Sequence, residues 1–330
     1  VGVTSNPKRH HFVPKVYLRA WANERDRVAV RRRGSASAHV TSVDNVAVVN
    51  GLNGVGLDAL HREDLYGALE SRWRELRHEL TCGRLRGSDR QAVALFMAFQ
   101  RHRTSEGRMR VDFALRAAAS TGERPIKEPA MRRFLQEIWG VASPSKAEVQ
   151  AACDYANYTL AGPDNVWHEA EAHSLAGAVT RIAPRLEALS WRVEVCRKPM
   201  LLTSDAPVTC WRPRSDRDLY DGLGIANAQE VWFPLSPRHL LVLSPGNGDL
   251  DPFDVEPRRF QFVNAEIASR SYESVVGTVH RARRIEQLDL GDVRPAMRFN
   301  LAPGYQKVPG REDRYIGDIL HMWVPAHDGV

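Results

Sequence analysis

From residue 57 to residue 80 the apolar side chains Leu57, Leu60, Leu65, Leu69, Trp73, Leu76 and Leu80 recur every three to five positions. That is the stripe of an amphipathic helix. Ser88 with Gln91 three residues on reads as a capping box opening a second helix, which runs through Phe96, Phe99 and Gln100. Spacings of four and three put Phe96, Gln100 and Arg103 on one face. Further helices are expected over 106–120, 127–140, 144–160 and 166–188, punctuated by Pro125, Pro129, Pro144 and Pro163. Ahead of them, valine-rich stretches at 28–33 and 38–49 flank Gly34-Ser35 and suggest a hairpin. Beyond residue 189 the period changes. Trp191 to Val195 alternates, and short apolar runs follow at Met200-Leu201-Leu202, Val231-Trp232-Phe233 and Leu240 to Leu243, with one more helix near 256–270. Helices followed by strands predict an α+β architecture, a helical first half packed on a β-containing second half.

Composition refines this picture only a little. Hydrophobic content of 43% and charged content of 26% are those of an ordinary globular chain, which excludes global disorder. A net charge of +6 makes an anionic partner plausible, nucleic acid included. Cys82, Cys153, Cys196 and Cys210 lie far apart with no Cys-x-x-Cys pair, so reduced, structural thiols and a cytoplasmic setting are expected. No apolar run approaches the length of a membrane span, and no membrane association is expected.

Several stretches look chemical and divide on inspection. Gly51-Leu52-Asn53-Gly54-Val55-Gly56 meets neither the dinucleotide fingerprint nor the P-loop and reads as a connector. His168-Glu169-Ala170-Glu171-Ala172-His173 spaces its histidines off the shared face that a zinc-protease helix needs. Arg31-Arg32-Arg33 is either a phosphate-binding ridge or the edge of a strand. Tyr66, Glu70 and Trp73 share a helix flank, so Glu70 requires a partner, an arginine of the next helix being the simplest. Arg101, His102 and Arg103 gather at that next helix's end and suit an anion.

Two segments carry the strongest candidates. Lys8 to Arg19 holds His10, His11 and a proline within a cationic run; imidazole exchanges protons near neutrality, and arginine grips phosphate or carboxylate. Thr203-Ser204-Asp205-Ala206-Pro207 follows a buried-looking strand, which places Asp205 in a tight turn. The pattern His-His-x-x-Pro-x-x-Tyr-Leu-Arg-x-aromatic from His10 to Trp21 resembles the opening signature of the bacterial family known as domain of unknown function 4238. Glu70-Ser71, the run Phe96 to Thr104, Thr203 to Val208, Phe233 to Pro237 and Asn264 extend the resemblance to about residue 276. The family usually has Asn where this chain has Ala206, so no polar role is given to that position. The spread of these elements implies one intertwined unit over 1–330, with a mainly helical lobe 1–188 and a β-rich lobe 189–330.

Taken together, His10, His11, Glu70 and Asp205 form a candidate catalytic set. Arg19, Gln100, Arg101, Arg103, Ser204 and Asn264 are candidate substrate-binding residues. Imidazole, carboxylates and arginine around one pocket would suit hydrolysis of a phosphodiester in nucleic acid or a nucleotide, with a divalent ion such as Mg, Mn or Zn as a cofactor to consider. The alternatives are a non-catalytic sensor or defence component that binds an anionic ligand, and a tailoring enzyme for a small molecule or peptide.

Overall fold

A computed structural model describes residues 9–50, 57–104, 116–138, 141–160, 178–213, 223–246, 250–291, 300–306 and 314–321. The glycine-rich connector at 51–56 and the His168 to His173 segment lie outside the described residues, as does most of the helix expected over 106–120.

The architecture is α+β. In chain order the elements are β1 (Arg9–His11), α1 (Lys15–Leu18), β2 (Arg27–Arg32), β3 (His39–Ser42), β4 (Val48–Asn50), α2 (Leu57–Thr81), α3 (Gly87–Arg103), α4 (Glu128–Glu137) and α5 (Lys146–Leu160). There follow α6 (Ala183–Ala188), β5 (Ser190–Val195), β6 (Thr203–Ser204), β7 (Thr209–Trp211), β8 (Glu230–Ser236), β9 (His239–Ser244) and β10 (Phe253–Asp254). The last are α7 (Pro257–Arg270), β11 (Ser274–Gly277), α8 (Ala282–Glu286), β12 (Asn300–Gln306) and β13 (Arg314–His321).

Two compact units divide the chain: Val1–Gly107, Ala176–Arg212 and Gly224–Pro295 form the first, and Arg108–Leu175, Pro213–Leu223 and Ala296–Val330 the second. In the first, a five-stranded sheet runs in the order β10-β5-β9-β8-β7, and a four-stranded sheet in the order β3-β2-β11-β6. β8 and β9 are apolar on both faces because both faces are covered, which is why they read as unbroken apolar runs. The expected hairpin is the antiparallel β2–β3 pair, whereas Val48–Asn50 leaves it to pair with β1. Met200 to Leu202 forms no strand; pairing begins at Thr203.

Helix α7 joins the two sheets. Its Phe260, Val263 and Ile267 pack with Trp232, Leu240 and Val242 of the five-stranded sheet, and Ala268 packs with Ala29 and Val275 of the four-stranded one. The short α1 plugs an aromatic cluster: Tyr17 lies 5.2 Å from Phe233 of β8 and 6.1 Å from Trp73 of α2, and Trp73 stacks on Phe96 of α3 at 4.1 Å.

The second unit contains α4, α5 and the β12–β13 hairpin. The Asn157 side chain holds both backbone polar groups of Ile126, at 2.7 and 2.8 Å. The capping box expected at Ser88 does not form, since α3 starts at Gly87 with Arg86 at its N-cap and no side-chain cap. One forms at Ser145 and Glu148, where each side chain accepts the other's backbone N–H.

Candidate functional site

The amino-terminal candidates sit in β1 and the turn after it. His10 is buried. His11 is half-buried and its Nδ1 lies 3.1 Å from the Val46 carbonyl, which can only accept, so Nδ1 carries the proton. Burial is the main cause holding the His11 imidazole below its ordinary pKa; Lys15 adds to it and the Val46 bond opposes it. Helices α2 and α3 grip this segment by its backbone. Gln100 donates to the Phe12 carbonyl at 2.6 Å, and Arg103 donates to the His11 carbonyl and to Glu70, each at 2.6 Å. Arg103 also lies 4.0 Å from the centre of the Tyr66 ring. Glu70 thus finds its partner on the next helix. Arg101 donates to Cys210 Sγ, and Arg19 forms an exposed pair with Asp26.

The carboxy-terminal candidates also hold backbone. Asp205 is buried and accepts three N–H bonds, from Tyr272 at 3.0 Å, Glu273 at 2.6 Å and Ser274 at 3.1 Å. Burial pushes its carboxyl up to about 7 against those three donors. Ser204 Oγ accepts from the Ala206 N–H. Asn264 accepts from the Leu202 N–H and donates to the Met200 carbonyl, both at 2.8 Å. Arg31 and Arg33, candidates for a phosphate ridge, turn inward: Arg31 donates to the carbonyls of Ile285, Glu286 and Leu288, and Arg33 to those of Tyr272, Gly291 and Ser271.

The structure brings Glu70, Arg103, Gln100 and the His11 backbone together, and separately Asn264 with the segment before Asp205. Among the described residues no group of three or more His, Cys, Asp or Glu side chains is placed to hold a metal ion. No helix among them is long and apolar enough to cross a membrane.

A cavity of about 380 Å³ opens beside Asn264. Met200, Leu202, Pro257, Ile285 and Leu288 supply its apolar lining, Gln261, Asn264 and Gln287 its amides, and Lys198, Arg281 and Arg284 its charges. Among the described residues no carboxylate lines it. Gly277 makes the floor possible: a Cβ there would stand 2.6 Å from Leu202 Cδ2 and 2.8 Å from Ile285 Cδ1. Burial, then the neighbouring Arg284 charge, pull Arg281 below the ordinary guanidinium value, as expected of cations gathered without an anion. Sequence reasoning singled out Asn264 but missed Lys198, Arg281 and Arg284. Lys198 follows Arg197, and Arg281 and Arg284 share a short basic run with Arg283, but the two stretches lie some 80 residues apart and only folding makes them a set. Equally hidden was the network in which Arg259 and Arg192 both bond Glu194 and Glu230 across β5, β8 and α7.

The family model described as protein of unknown function (DUF4238) matches residues 9–280. Neither a curated protein nor a solved structure matches the chain.

Proposed function

The chain belongs to the DUF4238 family, and we propose that it works as a binding protein for an anionic small molecule with an apolar body, held in the cavity beside Asn264. One observation carries this reading: among the described residues, three cations and three amides surround an apolar floor with no carboxylate in the lining. A ligand headgroup would relieve the mutual repulsion of Arg281 and Arg284, and its body would displace water from Met200, Leu202, Ile285 and Leu288. This corresponds to the non-catalytic alternative. Phosphodiester hydrolysis draws less support, because Asp205, Glu70, Gln100 and Arg103 are engaged with backbone or with one another.

The test compares two probes that share an aromatic body and differ in charge. Anilinonaphthalene sulfonate should bind at one saturable site, and neutral phenylnaphthylamine should bind at least about tenfold more weakly, a charge-assisted contact being worth that much. Arg281→Gln combined with Arg284→Gln should abolish the preference. Equal binding of the two probes, or a preference surviving in the double variant, would overturn the reading.

A further inference from the structure

Helix α2 carries a second group of cations away from that cavity. Ser71, Arg74, Glu75 and His78 follow one another at helical spacing, and Arg77 and Thr81 stand beside them. With Ala20 after α1, and Ser236 and His239 at the β8–β9 turn, they line a cavity of about 730 Å³. Among the described lining residues, two guanidiniums and two imidazoles therefore face one carboxylate, Glu75.

The arginines here are left differently from several others of the same unit. Arg103 is paired with Glu70, Arg259 with Glu194 and Glu230, and Arg90 with the carbonyls of Glu187 and Leu189. Arg77 is half-buried and its Nη1 is shielded from solvent, yet it has no hydrogen-bond partner among the described residues. Burial and the adjacent Arg74 charge both disfavour its cation. Shielding a guanidinium donor with nothing to accept from it is costly, and a second cation alongside compounds the cost. An oxyanion with several acceptor oxygens removes both penalties at once.

We propose that the cavity between α2 and the β8–β9 turn is an oxyanion site that takes a phosphate or sulfate group, gripped by Arg77 and Arg74 and completed by His239. The Ser236 hydroxyl lies 2.8 Å from His239 Nδ1 and accepts the Arg238 N–H, which fixes the ring and leaves Nε2–H as the donor. The charged and titratable groups around His239 are Arg74, Glu75, Arg77 and His78 from α2 and Arg238 from the turn. Without the anion, burial first, then Arg238 and Arg77, hold the imidazole below its ordinary pKa. A bound anion raises it, so binding takes up a proton and weakens as pH rises through the bound-state value.

Radiolabelled sulfate, whose charge is constant near neutrality, tests this by equilibrium dialysis of the full chain at fixed ionic strength. We expect one saturable site, weakened about tenfold or more by Arg77→Gln and by Arg74→Gln, since each removes a charge-assisted contact. Arg74 is exposed, so its variant reports on binding even if Arg77→Gln unfolds. Affinity should rise towards lower pH in the wild type and in His78→Gln, and this rise should flatten in His239→Gln. Arg197→Gln, at an exposed ion pair outside both cavities, should leave sulfate binding unchanged, which separates a specific site from general surface charge. Competition by glycerol phosphate against inorganic phosphate then distinguishes an esterified phosphoryl group from the free ion, either order supporting the site. Non-saturable binding, or binding unaffected by Arg74→Gln, would overturn the proposal.

Discussion

Asp205 offers a perturbation whose size follows from its surroundings. Its carboxyl is buried and its pKa is raised to about 7, while in the unfolded chain it titrates as an ordinary aspartate near 3.8. The folded state therefore holds this proton over a pH range in which the unfolded state has lost it. The associated stability is fully present below the unfolded value and is lost as pH rises through the folded one. Each unit of pKa difference is worth about 1.4 kcal/mol, so raising the pH from about 4.5 to about 8 should remove roughly 3 kcal/mol at this residue. Asp205→Asn cannot titrate. It keeps one carbonyl oxygen for the backbone donors and turns an amide towards the others, so it should be destabilised by an amount independent of pH at this site. Urea unfolding of both proteins at a series of pH values isolates the effect in their difference, because the other titrating groups cancel. The wild-type advantage should shrink by about 3 kcal/mol across that range. A difference that stays constant would mean that the three N–H donors stabilise the carboxylate enough to offset burial, and the raised pKa would be refuted.

Two further predictions concern how the amino-terminal segment is held. Tyr17→Phe removes a hydroxyl that lies 2.8 Å from both Thr203 Oγ1 and the Pro234 carbonyl, in a site without solvent access. Leaving those groups unpaired should cost about 2 to 3 kcal/mol in urea unfolding, and a loss below about 0.5 kcal/mol would show that they re-pair. Glu70→Ala strands the Arg103 guanidinium, whose side chain is 6% exposed against 28% for Glu70. It should cost about 2 kcal/mol, less than a fully buried pair, whereas Asp89→Ala at the exposed Arg72 pair should cost under about 1 kcal/mol; equal losses would contradict the distinction.

The helices were legible because their periodicity is local. The stripe from Leu57 to Leu80 predicts α2 nearly to its end at Thr81, and β5, β8 and β9 stand where alternation or unbroken apolar runs indicated them. Met200 to Leu202 misled because apolar burial does not require strand pairing: these residues are buried under α7 while Asn264 and Trp21 satisfy their backbone. The Ser88 box misled because the same two residue types, two positions past the N-cap at Arg86, cap nothing. The candidate site was legible only at Asn264. Arg281 and Arg284 reach the cavity because Arg31, from a strand some 250 residues earlier, holds the α8 carbonyls at Ile285 and Glu286, 254 and 255 positions away. No local pattern encodes that contact.

Residues of catalytic type need not be spent on catalysis, and here a physical reason can be given. The segment from Met200 to Ser204 is buried but pairs as strand only over its last two residues, so the backbone groups before them have no ladder to join. A buried peptide group left unpaired is costly; the Met200 and Leu201 N–H groups bond the Pro237 carbonyl, and side chains from elsewhere supply the remaining partners. Asn264 takes the Leu202 N–H and the Met200 carbonyl, and Trp21 takes the Leu201 carbonyl. At the next position the Tyr17 hydroxyl bonds the side-chain hydroxyl of Thr203. The side chains of Met200 and Leu202 are also the wall of the cavity beside Asn264. Asn264 and Trp21 therefore fix the backbone of a wall whose apolar side chains face the proposed ligand. They would govern affinity through the position of that wall rather than by touching a reacting group.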